Sequence, residues 1–298
     1  AMESPDIIYF PSIGMSTWTI LMSNIRLAPV QFMTGGHPAT SCSEKIDFIY
    51  LRDVAHVDKK DIEQRMTETV VWGEPVKDKD RPWTTQILSP KIGAVRPQPK
   101  NPVNRPRIAI NCKIMKLNSP FISALTLIAQ GLKSIGVNPI FDFYPSERGF
   151  GFDGLIARLQ NEPFDYFVFS SMQYSEFLES LGGSHLSLVP FPFGNPNSVM
   201  DSLILGIPFV FLESSELCGL GESSIAGQMQ VWDISATKSV PEFVTRVIEI
   251  LSNPSEYDRI SDQVNAIEIS SLLENQDEIN SRELNGFVQK IKTRVQLG

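Results

Sequence analysis

Ile108-Ala109-Ile110 runs into Asn111-Cys112-Lys113-Ile114-Met115-Lys116-Leu117-Asn118 and then into Ser119-Pro120-Phe121. Three apolar residues, a polar loop and a proline-marked helix start read as strand, junction and helix. The helical pattern continues through Leu132. Proline in the first turn is tolerated because the first amides of a helix have no intrahelical partner. Further strand-like runs stand at 139–143, 166–169, 186–189 and 208–212, with helical patterns between them. Short, continuously apolar strands that alternate with helices predict a parallel sheet covered on both faces.

Upstream, the apolar runs 7–10, 28–32 and 48–51 and a short helix around 18–22 predict the later half of another α/β domain. Residues 74–105 are rich in Pro, Lys and Asp, which disfavours helix and fits a linker or surface excursion. Downstream, amphipathic helical stretches at 241–251, 255–269 and 281–295 are expected to pack back across the domains. The organisation read from these shifts is 1–104 for the first domain part with its linker, 105–240 for the second domain, and 241–298 for the helical tail.

The chain has 298 residues, 42% apolar and 20% charged, as in globular proteins, and a net charge of -8. An acidic balance argues against general affinity for nucleic acid or anionic membrane, since phosphate repels it. Cys42, Cys112 and Cys218 are far apart and in no metal-ligand spacing, so neither a disulfide framework nor a zinc site is expected, and a cytoplasmic setting is the simpler assignment. No apolar run reaches the roughly 20 residues of a membrane span.

In parallel sheets, ligands bind beyond the carboxyl ends of the strands, where helix starts attract phosphate. Two junctions carry suitable side chains. The loop after 108–110 holds Lys116, able to counter a diphosphate or simply to be a solvated surface charge. The segment Val189-Pro190-Phe191-Pro192-Phe193-Gly194-Asn195-Pro196-Asn197-Ser198-Val199-Met200-Asp201 turns at Gly194 and Asn195 and opens a helix near Asn197 or Ser198, either of which could cap it. Asp201 lies one turn inside that helix among Val199, Met200, Leu203 and Ile204, where an unpaired carboxylate is costly; ribose hydroxyls or exposure to solvent would relieve it. A third candidate is Gly35-Gly36-His37-Pro38-Ala39-Thr40-Ser41, whose histidine could act as a base, contact phosphate, or merely bond a turn. His56, in a charged loop, and His185, in a Gly-Gly-Ser turn, read as surface residues.

Five blocks occur in a characteristic order: 9–15 (Tyr-Phe-Pro-Ser-Ile-Gly-Met), 26–31 (Arg-Leu-Ala-Pro-Val-Gln), 36–41 with Ile46-Asp47-Phe48, Met115-Lys116-Leu117-Asn118, and Phe191-Pro192-Phe193-Gly194-Asn195 continuing into Asn197 and Asp201. Together they resemble the bacterial cytoplasmic N-glucosyltransferases that modify adhesins and, more distantly, the O-linked N-acetylglucosamine transferases. The resemblance implies a GT-B-type α/β fold with a complete C-terminal Rossmann-like domain, part of the N-terminal one and a helical tail. It also implies inverting transfer of a hexose, glucose first, from a UDP-sugar to a protein side chain or glycan, with no cofactor and no metal. Lys116 then matches the lysine on the diphosphate. Asn197 and Asp201 match residues near the phosphates and the ribose, Gly194 and Asn195 belong to the same donor loop, and His37 matches a histidine facing sugar and acceptor.

The chain departs from the family at Ser170-Ser171, where a histidine is usual, and at 213–219 (Glu-Ser-Ser-Glu-Leu-Cys-Gly), where the family is rich in His and Glu. These departures leave open a catalytically impaired UDP-binding relative acting as a partner or scaffold. An epimerase of the same fold is a further alternative, although no carboxylate pair suits that chemistry. The matched region begins within the first Rossmann-like domain, so an N-terminal region or a second chain is expected to complete it.

Overall fold

The computed structural model describes residues 5–11, 13–14, 16–34, 39–53, 58–75, 105–269 and 276–296. The chain divides into two compact units.

The first unit holds a parallel sheet of order β1-β2-β3-β4, made of β1 (Ile7–Phe10), β2 (Val30–Thr34), β3 (Phe48–Asp53) and β4 (Thr69–Pro75). It also contains α1 (Thr17–Met22), α2 (Lys59–Arg65) and the last helix, α11 (Gln276–Gln296). Phe287 and Ile291 of α11 are buried with Val30, Phe32 and Val71 of the sheet, and the Phe287 ring lies 4.7 Å from that of Phe32. By contrast α1 buries no residue, and its Trp18 is 75% exposed. The Arg26 block and the Asp47 block of the sequence meet here as scaffold. Arg26 makes a two-pronged ion pair with Asp47 at 2.6 and 2.9 Å, and Asp47 also accepts the Gln31 amide at 2.7 Å.

The second unit holds a parallel sheet of order β10-β9-β8-β5-β6-β7. Its strands are β5 (Arg107–Ile110), β6 (Ile140–Phe143), β7 (Asp165–Val168), β8 (Leu186–Leu188), β9 (Phe209–Leu212) and β10 (Ala236–Thr237). The helices of this unit are α3 (Ser119–Ser134), α4 (Phe150–Leu159), α5 (Tyr174–Leu181), α6 (Pro196–Ile204), α7 (Leu220–Gln228), α8 (Trp232–Ser235), α9 (Val240–Ser252) and α10 (Pro254–Asn265). The inner strands β6 and β8 are buried at every residue, which is why they read as continuous apolar runs; the edge strand β7 is not. In α3, Asn118 caps the helix by accepting the Phe121 amide, and Phe121, Leu125, Ile128 and Leu132 form the buried stripe of a core-facing helix. Gly131 sits where α3 meets α9, and a Cβ there would collide with Ile248. The tail is thus shared: α9 and α10 belong to this unit, and α11 to the first.

Strand order decides where a ligand can sit. After β5 the chain moves to β6 and β7 on one side, then returns to pair β8 against β5 on the other, with Ile108 opposite Leu186. Sheet order therefore reverses between β5 and β8. The loops beyond their carboxyl ends emerge side by side, the usual place for a ligand in such sheets.

Candidate functional site

The two loops singled out in the sequence are those two loops, and side chains stitch them together. Asn118 Nδ2 donates to the Phe191 carbonyl at 2.6 Å, Lys116 Nζ to the Gly194 carbonyl at 2.5 Å, and Asn195 Nδ2 to the Asn111 carbonyl at 2.8 Å. The Lys116 ammonium also lies 4.8 Å from the centre of the Phe193 ring, an attractive cation–π geometry. Lys116 stands in a 3-10 turn, Ile114–Lys116, directly before the cap of α3, which sets where its ammonium emerges. The Phe191–Pro192 peptide is cis. The Phe191 ring is anchored between Phe121 and Phe243 at 5.3 and 5.4 Å, so the loop hangs from the core.

Helix α6 begins at Pro196, one residue earlier than the Asn197 or Ser198 start expected. Neither of those two residues caps it. Asn195 occupies the N-cap position without a side-chain bond to the first-turn amides, because its side chain is spent on Asn111 and on Ser198 Oγ. Asn197 lies exposed on the first turn.

Asp201 is 5% exposed, so exposure to solvent does not relieve its charge. It accepts the Tyr174 hydroxyl at 2.6 Å and the Asn111 amide at 3.3 Å. Burial nevertheless pushes its carboxyl up to about 6, against the pull of those two donors. Burial and the Asp201 charge in turn raise the Tyr174 hydroxyl. Sequence reasoning missed both Tyr174 and Asn111. The one available signal was the polar Gln173-Tyr174 at a helix start facing the same sheet end.

Glu222 was missed as well. It lies on α7 with both carboxylate oxygens sealed from solvent and, among the described residues, without a hydrogen bond of acceptable geometry. Burial pushes its carboxyl up to about 7, opposed by its own amide, the Lys116 ammonium and the Asn195 amide. The carboxylate packs on Gly194 so closely that a Cβ at that position would overlap it. A side chain at position 194 would have to displace that carboxylate. Gly221 is similarly closed in, since a Cβ there would stand 2.8 Å from Pro196.

His37, with Gly35, Gly36 and Pro38, lies outside the described residues, as does His56. The neighbouring Thr40 and Ser41 bind the buried Glu68 at 2.8 and 2.7 Å. His185 is buried rather than at the surface. Its Nδ1 accepts the Arg107 amide at 3.0 Å, a bond between strand ends that a Gly-Gly-Ser run does not advertise. Among the described residues no group of three or more His, Cys, Asp or Glu is arranged to hold a metal, and no helix is long and apolar enough to cross a membrane.

No family model matches the sequence. The chain is 30% identical over 258 residues to the UDP-glucose:protein N-beta-glucosyltransferase of Actinobacillus pleuropneumoniae serotype 5b (strain L20), and 30% to that of serotype 7 (strain AP76). Each match takes in 84% of this chain and 39% of the relative, so the chain spans about two fifths of the length of these proteins. Among solved structures, a Thermobaculum terrenum O-GlcNAc transferase mutant matches 96% of this chain and 52% of its own, with a TM-score of 0.71 and 15% identity, a likeness of fold. The sequence resemblance therefore holds: the chain is a relative of the bacterial UDP-glucose:protein N-β-glucosyltransferases and has a GT-B-type α/β fold.

Proposed function

We propose that the chain carries the donor site of an inverting glycosyltransferase that moves a hexose, glucose first, from a UDP-sugar to a protein side chain or glycan. The observation that carries this reading is the meeting of Lys116, the start of α6, which has no side-chain cap, and the Asp201–Asn111 pair beyond the ends of β5 and β8. A diphosphate there would meet the Lys116 ammonium and the first amides of α6, two positive ends aimed at one place. Asp201, held by Tyr174 and Asn111, offers carboxylate oxygens to the ribose hydroxyls. Asn197, Gly194 and Asn195 complete the wall of the donor loop.

In this reading the acceptor attacks the anomeric carbon on the face opposite the departing UDP, which inverts its configuration. Charge growing on the leaving diphosphate is met by donors already in position, so little reorganisation is needed at the moment of reaction. No metal is assigned to that task. His37 is the histidine proposed to face sugar and acceptor, the rest of the first Rossmann-like domain would come from an N-terminal region or a second chain, and the cytoplasm is the proposed setting.

Ser170-Ser171 and the 213–219 segment, where the resembling family carries imidazoles, favour a second reading: a relative that binds UDP without turnover. Calorimetry with UDP, followed by transfer and hydrolysis assays with several UDP-sugars, separates the two. Binding with transfer supports the enzyme, and tight UDP binding without any turnover supports the impaired relative. No UDP binding at all rejects both.

A further inference from the structure

The Lys116 ammonium and the Glu222 carboxylate act on the same residue of the donor loop. Lys116 holds the carbonyl of Gly194, and Glu222 packs against its α-carbon. Among the described residues the carboxylate has no hydrogen bond of good geometry, its own amide and that of Asn195 give it only partial support, and Lys116 is the cation that bears on it. Its other titratable surroundings are accounted for. On α6, Asp201 is engaged by Tyr174 and Asn111. On α8, Asp233 is exposed.

Two anions therefore compete for one ammonium once a diphosphate arrives at Lys116. An ionised carboxylate buried beside that diphosphate would be repelled by it and deprived of its cation, and such a group neutralises more readily than it stays charged. We propose that Glu222 is a positioning residue whose carboxylate takes up a proton from solvent as a nucleotide-sugar binds, which frees the charge of Lys116 for the diphosphate. The bond formed is a carboxyl O–H, and no other bond changes. Because burial already holds the carboxyl at about 7, the uptake falls in the neutral range. This inference rests on the donor-site reading.

UDP-glucose is the suitable probe, because its diphosphate diester does not itself titrate near neutrality. Its binding should be measured by calorimetry between pH 7 and 8.5 in buffers of different ionisation enthalpy. The expected result is an observed enthalpy that varies with the buffer, corresponding to about 0.5 to 1 proton taken up per ligand, and an affinity that falls by up to about tenfold per pH unit. In Glu222→Gln the buffer dependence should vanish and the pH profile flatten, with affinity at pH 8 equal to or tighter than that of the unaltered protein. A purely structural role for Glu222 would move neither the proton count nor the pH slope.

Binding of UDP-glucose without proton uptake by the unaltered protein overturns the inference, as does unchanged uptake in a folded Glu222→Gln variant. If that variant does not fold, the count is taken in Asp201→Asn, where uptake that persists keeps the proton on Glu222 and uptake that vanishes overturns the inference. Absence of UDP-glucose binding would overturn the donor-site reading and this inference with it, whereas binding without uptake leaves the former standing.

Discussion

Lys116 is the residue whose removal tests the donor site most directly. Lys116→Ala is expected to weaken UDP binding by at least about 1.5 kcal/mol, the low end for a charge-assisted hydrogen bond. Unchanged affinity by calorimetry would take Lys116 out of the site. The two buried carboxylates make a separate prediction about stability. The carboxyls of Asp201 and Glu222 are raised in the folded protein, so between pH 4 and 7 the folded state holds more protons than the unfolded one, and both groups lower stability as pH rises through that window. Glu222→Gln should therefore gain on the unaltered protein from pH 5 to 8, by an amount on the order of 3 kcal/mol, and denaturant titrations at the two pH values would read it. A constant difference would show that the carboxyl does not titrate there. Tyr174→Phe removes a donor from Asp201 and should cost about 1–3 kcal/mol at pH 8 and less at pH 5, where the carboxyl is protonated. Equal cost at both would mean that the hydroxyl favours the ionised and the neutral carboxyl alike, and no cost at either that solvent replaces it. That the loop of Lys116 and the loop of Gly194 and Asn195 would meet was legible in the sequence, because both follow strands and lead into helices, with Asp201 one turn into the second helix. Glu222, Tyr174 and Asn111 were not, because their roles arise from contacts between elements far apart in the chain, which no local spacing records.

At the scale of elements, legibility followed burial. Strands β6, β8 and β9 are enclosed by helices and so stand out as apolar runs, and α3 announces its start through Asn118, Ser119 and Pro120. Strand β10, two residues long, leaves no trace, and the polar end of β4 merges in composition with the Pro-rich stretch after it. Helix α9 does more than cover the sheet. Its Phe243 is fully buried and supports Phe191, the first residue of the loop that carries Gly194 and Asn195. Phe243→Ala is expected to cost about 3–5 kcal/mol of stability, as large-to-small core changes do. It should also weaken UDP binding, although Phe243 lies far along the chain from the donor loop. Loss of stability with unchanged UDP affinity would separate the loop from its aromatic support.

For the molecule as a whole, each of the two units has its own buried cluster. Phe287→Ala, in the helix that covers the four-stranded sheet, should destabilise that unit while leaving the proposed affinity for UDP within about twofold, since its contacts lie in that unit's own cluster. Strand order has a further consequence in time. Lys116 and Gly194 are 78 residues apart in the chain, and the pairing of β5 with β8 that joins their loops must wait for β6 and β7 to be laid down between them. Non-local parallel pairing is slow to form, and a chain leaves the ribosome at about 5–20 residues per second. The lysine loop therefore gains its partners at Gly194 and Glu222 only after the chain as far as α7 has been made, and on the proposed reading the binding of UDP waits for the joining of β5 to β8.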